Sequence, residues 1–146
     1  MSVKEILEIL SEPSVEDSAL ITRAYDFAES AHEGQKRMTG DPYFIHVFET
    51  AKTLAELKMD AHTISAGLLH DVIEDCNVTE DELSSLFGKD VLFLVQGVTK
   101  LGTLKYRGVE RHVESLRKLF IATAQDVRVL IIKLADRLHN VATLEG

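Results

Sequence analysis

Apolar residues recur along most of this chain at the three- and four-residue spacing of a single helix face, and polar stretches containing glycine or proline separate the recurrences. Residues 3–10 make a short amphipathic turn or helix, which Pro13 interrupts. A stronger pattern covers 16–32, with Leu20, Ile21, Ala24, Tyr25, Phe27 and Ala28 inward and Gly34 ending it. The stretch GQKRMTGDPYFIH that follows is too polar and too punctuated for a mere connector. Helices are expected next over 45–57 and 61–75, the second capped by Asp60, and Thr79 with Glu82 makes a capping box for a short helix ending at Gly88. An apolar helix over 90–98 leads into TKLGTLKYRGVER, which has no periodicity and reads as a mobile loop. A helix over 112–123 places Val113, Leu116, Leu119 and Phe120 on one face, and Asp126 opens the last one, VRVLIIKLADRLHNVATL. The β-branched run 127–132 would suit a strand, but no second strand is available to pair with it, and an isolated strand leaves its backbone groups unpaired. The expected fold is therefore all-α, a single-domain bundle of about six or seven helices.

Chemistry concentrates where one helix has two faces. In LLHDVIED, residues 68–75, the apolar Leu68, Leu69, Val72 and Ile73 and the polar His70, Asp71, Glu74 and Asp75 repeat at the same offsets. An imidazole and three carboxylates within about one turn repel one another and raise each other's pKa unless a cation sits among them. An HD dipeptide alone is usually just the solvated side of an amphipathic helix. Here Ile64, Ala66, Gly67, Leu68 and Leu69 make the helix apolar on most sides before His70, so its second half should be largely buried. The last helix repeats the pattern: Ile131, Leu134, Ala135 and Leu138 are apolar, while Asp136, Asn140 and Thr143 make a polar stripe. His46 stands among Phe44, Ile45 and Val47, where a charged side chain is costly and a neutral ligand imidazole is not, although a core histidine bonded to a carbonyl would fit as well. His46, His70, Asp71 and Asp136 would then offer two nitrogens and two carboxylates. That donor set favours a divalent ion of the Mn, Fe, Co, Ni or Zn kind over Mg or Ca.

Composition narrows the setting. At 146 residues the chain fits one domain with a sizeable core, and its single cysteine, Cys76, excludes both a disulfide framework and a cysteine-based zinc site. No stretch reads as a signal peptide or membrane span, so a cytoplasmic protein is expected. Sixteen basic against 24 acidic residues give a formal net charge of −8, which disfavours general binding to nucleic acid or to anionic membrane. The basic residues that do cluster, Lys36 with Arg37 and Lys100, Lys105, Arg107 and Arg111, suit a small anion.

The succession GQKRMTGDPYFIH, AGLLHDVIED, GVTKLG and DVRVLIIKLADRLHNVATL, over residues 24–144, resembles the hydrolase domain of the RelA/SpoT family of guanosine polyphosphate enzymes, within the HD phosphohydrolase superfamily. The resemblance implies a Mn-dependent hydrolase that removes the 3′-pyrophosphate of guanosine tetra- or pentaphosphate, leaving GDP or GTP. It assigns His46, His70, Asp71 and Asp136 to the metal, Glu74 and Asp75 to positioning and activating the attacking water, and Lys36, Arg37, Asn140 and Thr143 to the nucleotide. Several positions depart from the family pattern: Met38 replaces a second basic residue, Val47 a proline, Cys76 a threonine, Ser115 an asparagine and Ala142 an arginine. None is a metal ligand, but the missing charge at 38 and 142 bears on the polyphosphate grip. The competing readings are another HD-superfamily nucleotide phosphohydrolase, or a regulatory HD module that holds metal and nucleotide without turnover. The family's further C-terminal helices and synthetase domain are not expected within 1–146. With Val129, Leu130, Ile132, Val141 and Leu144 on more than one face of the last helix, an exposed apolar strip is expected, either closed by self-association or left open in a fragment whose pocket is catalytically weak.

Overall fold

Amphipathic helices of this length are marginal alone in water, so each segment becomes stable by burying its apolar stripe against another. The computed structural model describes residues 2–102 and 126–142 and shows how they do so. The helices are α1 (Val3–Ile9), α2 (Val15–Ala31), α3 (Tyr43–Glu56), α4 (Ala61–Leu69), α5 (Val72–Asp75), α6 (Glu80–Phe87), α7 (Lys89–Gly102) and α8 (Val127–Ala142). Among the described residues there is no strand beyond an isolated bridge between Lys36 and Pro42, and no helix is long and apolar enough to cross a membrane. The all-α reading holds.

α4 is the centre: it packs against α2, α3, α7 and α8, and every residue in it except His62 is buried. Small residues make that enclosure possible. A Cβ on Gly67 would lie 2.5 Å from Leu54 Cδ1 of α3, and one on Gly97 of α7 would lie 2.6 Å from Val129 Cγ2 of α8. Larger side chains fill the wider gaps: Tyr25 meets Phe44 edge-on at 5.0 Å and joins α2 to α3, and Phe27 meets Phe87 at 5.5 Å and joins α2 to α6.

The helix ends follow local chemistry, with some departures from expectation. Ser14 Oγ accepts from Asp17 N–H at 3.0 Å, so α2 starts one residue before 16, and Thr79 caps α6 by accepting from Glu82 N–H at 3.1 Å. Asp60 occupies the N-cap position of α4 but makes no cap bond, because its carboxylate is engaged by the Thr63 hydroxyl at 2.5 Å and by Arg128 Nη1 at 3.1 Å. α3 starts at Tyr43, behind Pro42, two residues earlier than expected. α7 runs on through Gly102, so the first residues read as loop are helical; nothing before Gly102 breaks the helix, and Lys100 suits its C-terminal dipole. The rest of that loop, including Lys105, Arg107 and Arg111, the expected 112–123 helix with Ser115, and Thr143 and Leu144 lie outside the described residues.

The β-branched start of α8 is helical, with Val129, Ile132, Ala135 and Asp136 buried. This corrects the expected faces. Val129 and Ile132 belong to the core rather than to an exposed strip, whereas Leu134 and Leu138, expected inside, are 58% and 59% exposed and share an outer stripe with Val127 and Val141. The arc that meets α3, α4 and α7 turns Leu134, about 100° from Ala135, to the far side. Asp126 caps α8 by accepting from Arg128 N–H at 2.9 Å, and the Arg128 guanidinium spans Asp126, at 2.6 Å, and Asp60, at 3.1 Å.

Asp126→Ala should lower stability by about 1–2 kcal/mol in urea unfolding, with Asp126→Asn intermediate. The Arg128 hydrogen bonds hold the Asp126 carboxyl below its ordinary value. Its contribution is therefore present above the unfolded carboxylate range and is lost as pH falls through the depressed value, and Asp126→Asn should flatten that part of the acid unfolding curve. Gly97→Ala should destabilise by about 1–3 kcal/mol despite alanine's better helix propensity, because the β-branched Val129 in its path strongly prefers one rotamer within a helix. A stability gain in calorimetry would show that the α7–α8 contact is looser than described.

Candidate metal centre

The C-terminal end of α4 is where a fully enclosed helix meets polar side chains. His70 Nδ1–H donates to Gly67 O at 2.6 Å, and that carbonyl is the one an uninterrupted helix would offer to Asp71 N–H. The helix breaks there and resumes as α5, which replaces the single expected helix over 61–75. The break leaves His70 Nε2 pointing at two carboxylates, Asp71 Oδ2 at 3.0 Å and Asp136 Oδ1 at 3.2 Å. α3 contributes His46, whose Nε2 lies 2.6 Å from the same Asp136 oxygen. Donor atoms of His46, His70, Asp71 and Asp136 all lie within 4.8 Å of one another, as the sequence pattern anticipates.

Asp71 is half-buried and the other three are buried, which sets their electrostatics. Burial favours the neutral form of His70, but the charge of Asp71 and the hydrogen bonds to Asp136 and Asp71 outweigh it and raise the imidazole well above its usual value. Burial also pushes the Asp71 carboxyl up, yet the His70 charge, its hydrogen bond and that of Tyr43 bring it down to about 2. Asp136 is likewise held far below the carboxylate range, since hydrogen bonds from His46 and His70 outweigh its burial. His70 Nε2 thus stands between two carboxylates, where positive charge offsets their repulsion. Two imidazoles and two carboxylates gathered this closely are the donor set of a divalent transition ion.

Side chains that the sequence reading passed over hold this group from behind. The Tyr43 hydroxyl donates to Asp71 Oδ2 at 2.6 Å, Lys133 Nζ lies 3.4 Å from Asp136 Oδ2, and His139 Nδ1 lies 2.7 Å from His46 Nδ1. Burial, followed by the charge and hydrogen bond of Asp71, raises the Tyr43 phenol far above its ordinary range, so it stays a donor. Spacing carried a signal for His139: it is three residues after Asp136 and so shares its helix face.

The paired acids stand at the rim. Glu74 and Asp75 are exposed and outside the four-residue group. Enough protein flanks Asp75 for burial, then the charges of Asp71 and Glu74, to raise its carboxyl. The stretch between α2 and α3 is a tight hairpin in which Gly40, at φ 92, donates to Arg37 O at 2.8 Å and Arg37 N–H donates to Asp41 O at 2.8 Å. From it Gln35 Nε2 donates to Asp75 O at 2.9 Å and Arg37 Nη2 donates to Asn140 Oδ1 at 2.8 Å. Lys36 is exposed and Met38 is 98% exposed.

The profile of the HD domain family matches residues 24–146. A guanosine-3′,5′-bis(diphosphate) 3′-pyrophosphohydrolase of Vibrio cholerae is 48% identical over 145 residues, 98% of this chain and 20% of that protein. A GTP pyrophosphokinase of Myxococcus xanthus is 47% identical over 88% of this chain and 18% of its own length. The chain thus spans about a fifth of the curated relatives it matches. A solved structure described as a metazoan ortholog of SpoT that hydrolyzes ppGpp superposes with a TM-score of 0.70 at 30% identity, covering 92% of this chain and 72% of the other. Agreement of profile, sequence and helical fold over nearly all the chain shows that it belongs to the HD-domain family, in its RelA/SpoT branch.

Proposed function

We propose that this chain is a metal-dependent hydrolase that removes the 3′-pyrophosphate of guanosine tetra- or pentaphosphate, with His46, His70, Asp71 and Asp136 as ligands of one divalent ion, Mn(II) in its specific form. The observation that carries the reading is the convergence of those four donors from three separate parts of the chain beside a pair of rim carboxylates. The names of the relatives supply the substrate class. The ion would supply Lewis acidity toward the phosphate and acidify water.

The remaining steps belong to side chains. Water adds across the bond between the ribose 3′-oxygen and phosphorus, so its hydroxyl ends on pyrophosphate and its proton on the 3′-oxygen. Asp75, whose carboxyl is raised, and Glu74 beside it take up and steer that proton, since a carboxylate of raised pKa is the stronger base. Arg37 and Asn140, joined by a hydrogen bond, present a cation and an amide to the nucleotide, with Lys36 next along the hairpin, and the resemblance adds Thr143, which lies outside the described residues. Met38 brings no charge, which leaves more of the phosphate binding to Arg37.

Mn(II) added to the dialysed chain should support release of pyrophosphate from the alarmone and not from GTP in a chromatographic assay, and a panel showing turnover of other nucleotides alone would overturn the substrate assignment. Asp71→Ala should reduce Mn(II) affinity by more than about 100-fold in calorimetry, beyond the loss typical of a group that only supports a ligand. Glu74→Gln combined with Asp75→Asn should keep the ion and lose about 10²- to 10⁴-fold in turnover. Arg37→Ala should weaken alarmone binding while leaving Mn(II) binding unchanged, and equal affinity in titration would move the substrate site elsewhere.

A further inference from the structure

We infer that His139 is a positioning residue for His46 in the metal-bound protein: there its Nδ1 accepts the Nδ1–H of His46 and holds that ring with Nε2 turned inward to ligate, the ion taking the place of the proton that Nε2 otherwise shares with Asp136. The inference rests on the reading of His46 as a metal ligand. A ligating imidazole nitrogen carries no proton, so the ring's proton must sit on the other nitrogen and needs an acceptor there. His70 meets this requirement through the backbone, its Nδ1–H donating to Gly67 O at 2.6 Å. In His46 the inward atom is Nε2, 2.6 Å from Asp136 Oδ1, and Nδ1 lies 2.7 Å from His139 Nδ1. His46 is only 2% exposed, so bulk water is a poor substitute acceptor.

The ring geometry suits a hydrogen bond better than a stack. The centroids are 4.9 Å apart with planes inclined by 28°, and the nitrogens approach to 2.7 Å. The centroid separation exceeds the N···N distance by about one ring's width, so the two imidazoles meet edge to edge through these nitrogens. An acceptor role fixes the His139 proton on Nε2. One face of α8 then carries both a ligand, Asp136, and the group that orients another ligand from α3.

The test is calorimetric titration of the intact chain and its variants with MnCl₂, alongside ion-free thermal unfolding. His139→Asn keeps an acceptor oxygen close to the place of Nδ1 without the ring; His139→Phe keeps a ring without an acceptor, and His139→Ala keeps neither. His139→Phe and His139→Ala should weaken Mn(II) binding by about 10- to 100-fold, whereas His139→Asn should stay within about threefold of the unsubstituted chain at a similar ion-free unfolding temperature. Should the phenylalanine variant misfold, the alanine and asparagine variants still give the comparison. Unchanged affinity in the folded variants lacking an acceptor, or an equal loss in His139→Asn, would overturn the inference. Failure of the unsubstituted chain to bind Mn(II) is a different result: it overturns the metal-ligand reading and the inference with it.

Discussion

A carboxylate taken out of water has to be matched by donors or by positive charge, and Asp136 meets that requirement from three directions. His46 comes from α3, His70 from the end of α4, and Lys133 from the preceding turn of α8. The requirement ties together helices far apart in sequence, because none of these groups is well placed without the others. It also explains why polar side chains lie at the end of the most enclosed helix in the bundle: the apolar walls of α4 exclude water, and that exclusion makes the His–Asp contacts strong.

The hairpin between α2 and α3 relates this interior to the rim. Gln35 reaches the backbone of Asp75 on α5, and Arg37 reaches Asn140 on α8, so one short loop touches both the segment bearing the paired acids and the helix that carries Asp136. Gln35 is itself held by His32 Nδ1, 2.9 Å from its Oε1, and the His32 ring lies 5.0 Å from Tyr43, which donates to Asp71. Asp71 and the α5 backbone are thus steadied from the same side of the molecule.

Much of the fold was legible: α2 and α3 follow from spacing, which reports burial directly, α6 from its capping box, and the helical reading of 127–132 from the lack of a second strand to pair with it. The four converging residues were legible because a histidine or aspartate inside an apolar run calls for a partner. Features decided by competition between partners were not legible. The break after Leu69 depends on a histidine side chain engaging a particular carbonyl, and Asp60 lost its capping role to Thr63 and Arg128. Leu134 and Leu138 share an apolar spacing with Ile131 and Ala135, but the rotation of α8 is set by Val129 against Gly97 and by Asp136 against the histidines, which leaves both leucines outside. Tyr43 acts through Asp71, a contact that a single sequence does not record, and spacing placed His139 on the face of Asp136 without revealing His46 as its partner.

The guanidinium of Arg128 joins the residues just before α4 and α8, Asp60 and Asp126, and the other ends of the two spans meet again where His70 Nε2 faces Asp136 Oδ1. The same number of residues separates Asp60 from His70 as separates Asp126 from Asp136, so the two helices are arms of equal length pinned at both ends. Each arm covers roughly 15 Å, and one inserted or deleted residue would shift its tip by about 1.5 Å and swing it by about 100°. Length along these arms is therefore under a stricter constraint than composition: outward positions such as Leu134 and Leu138 have latitude in side chain, but neither arm has latitude in count unless the other changes with it.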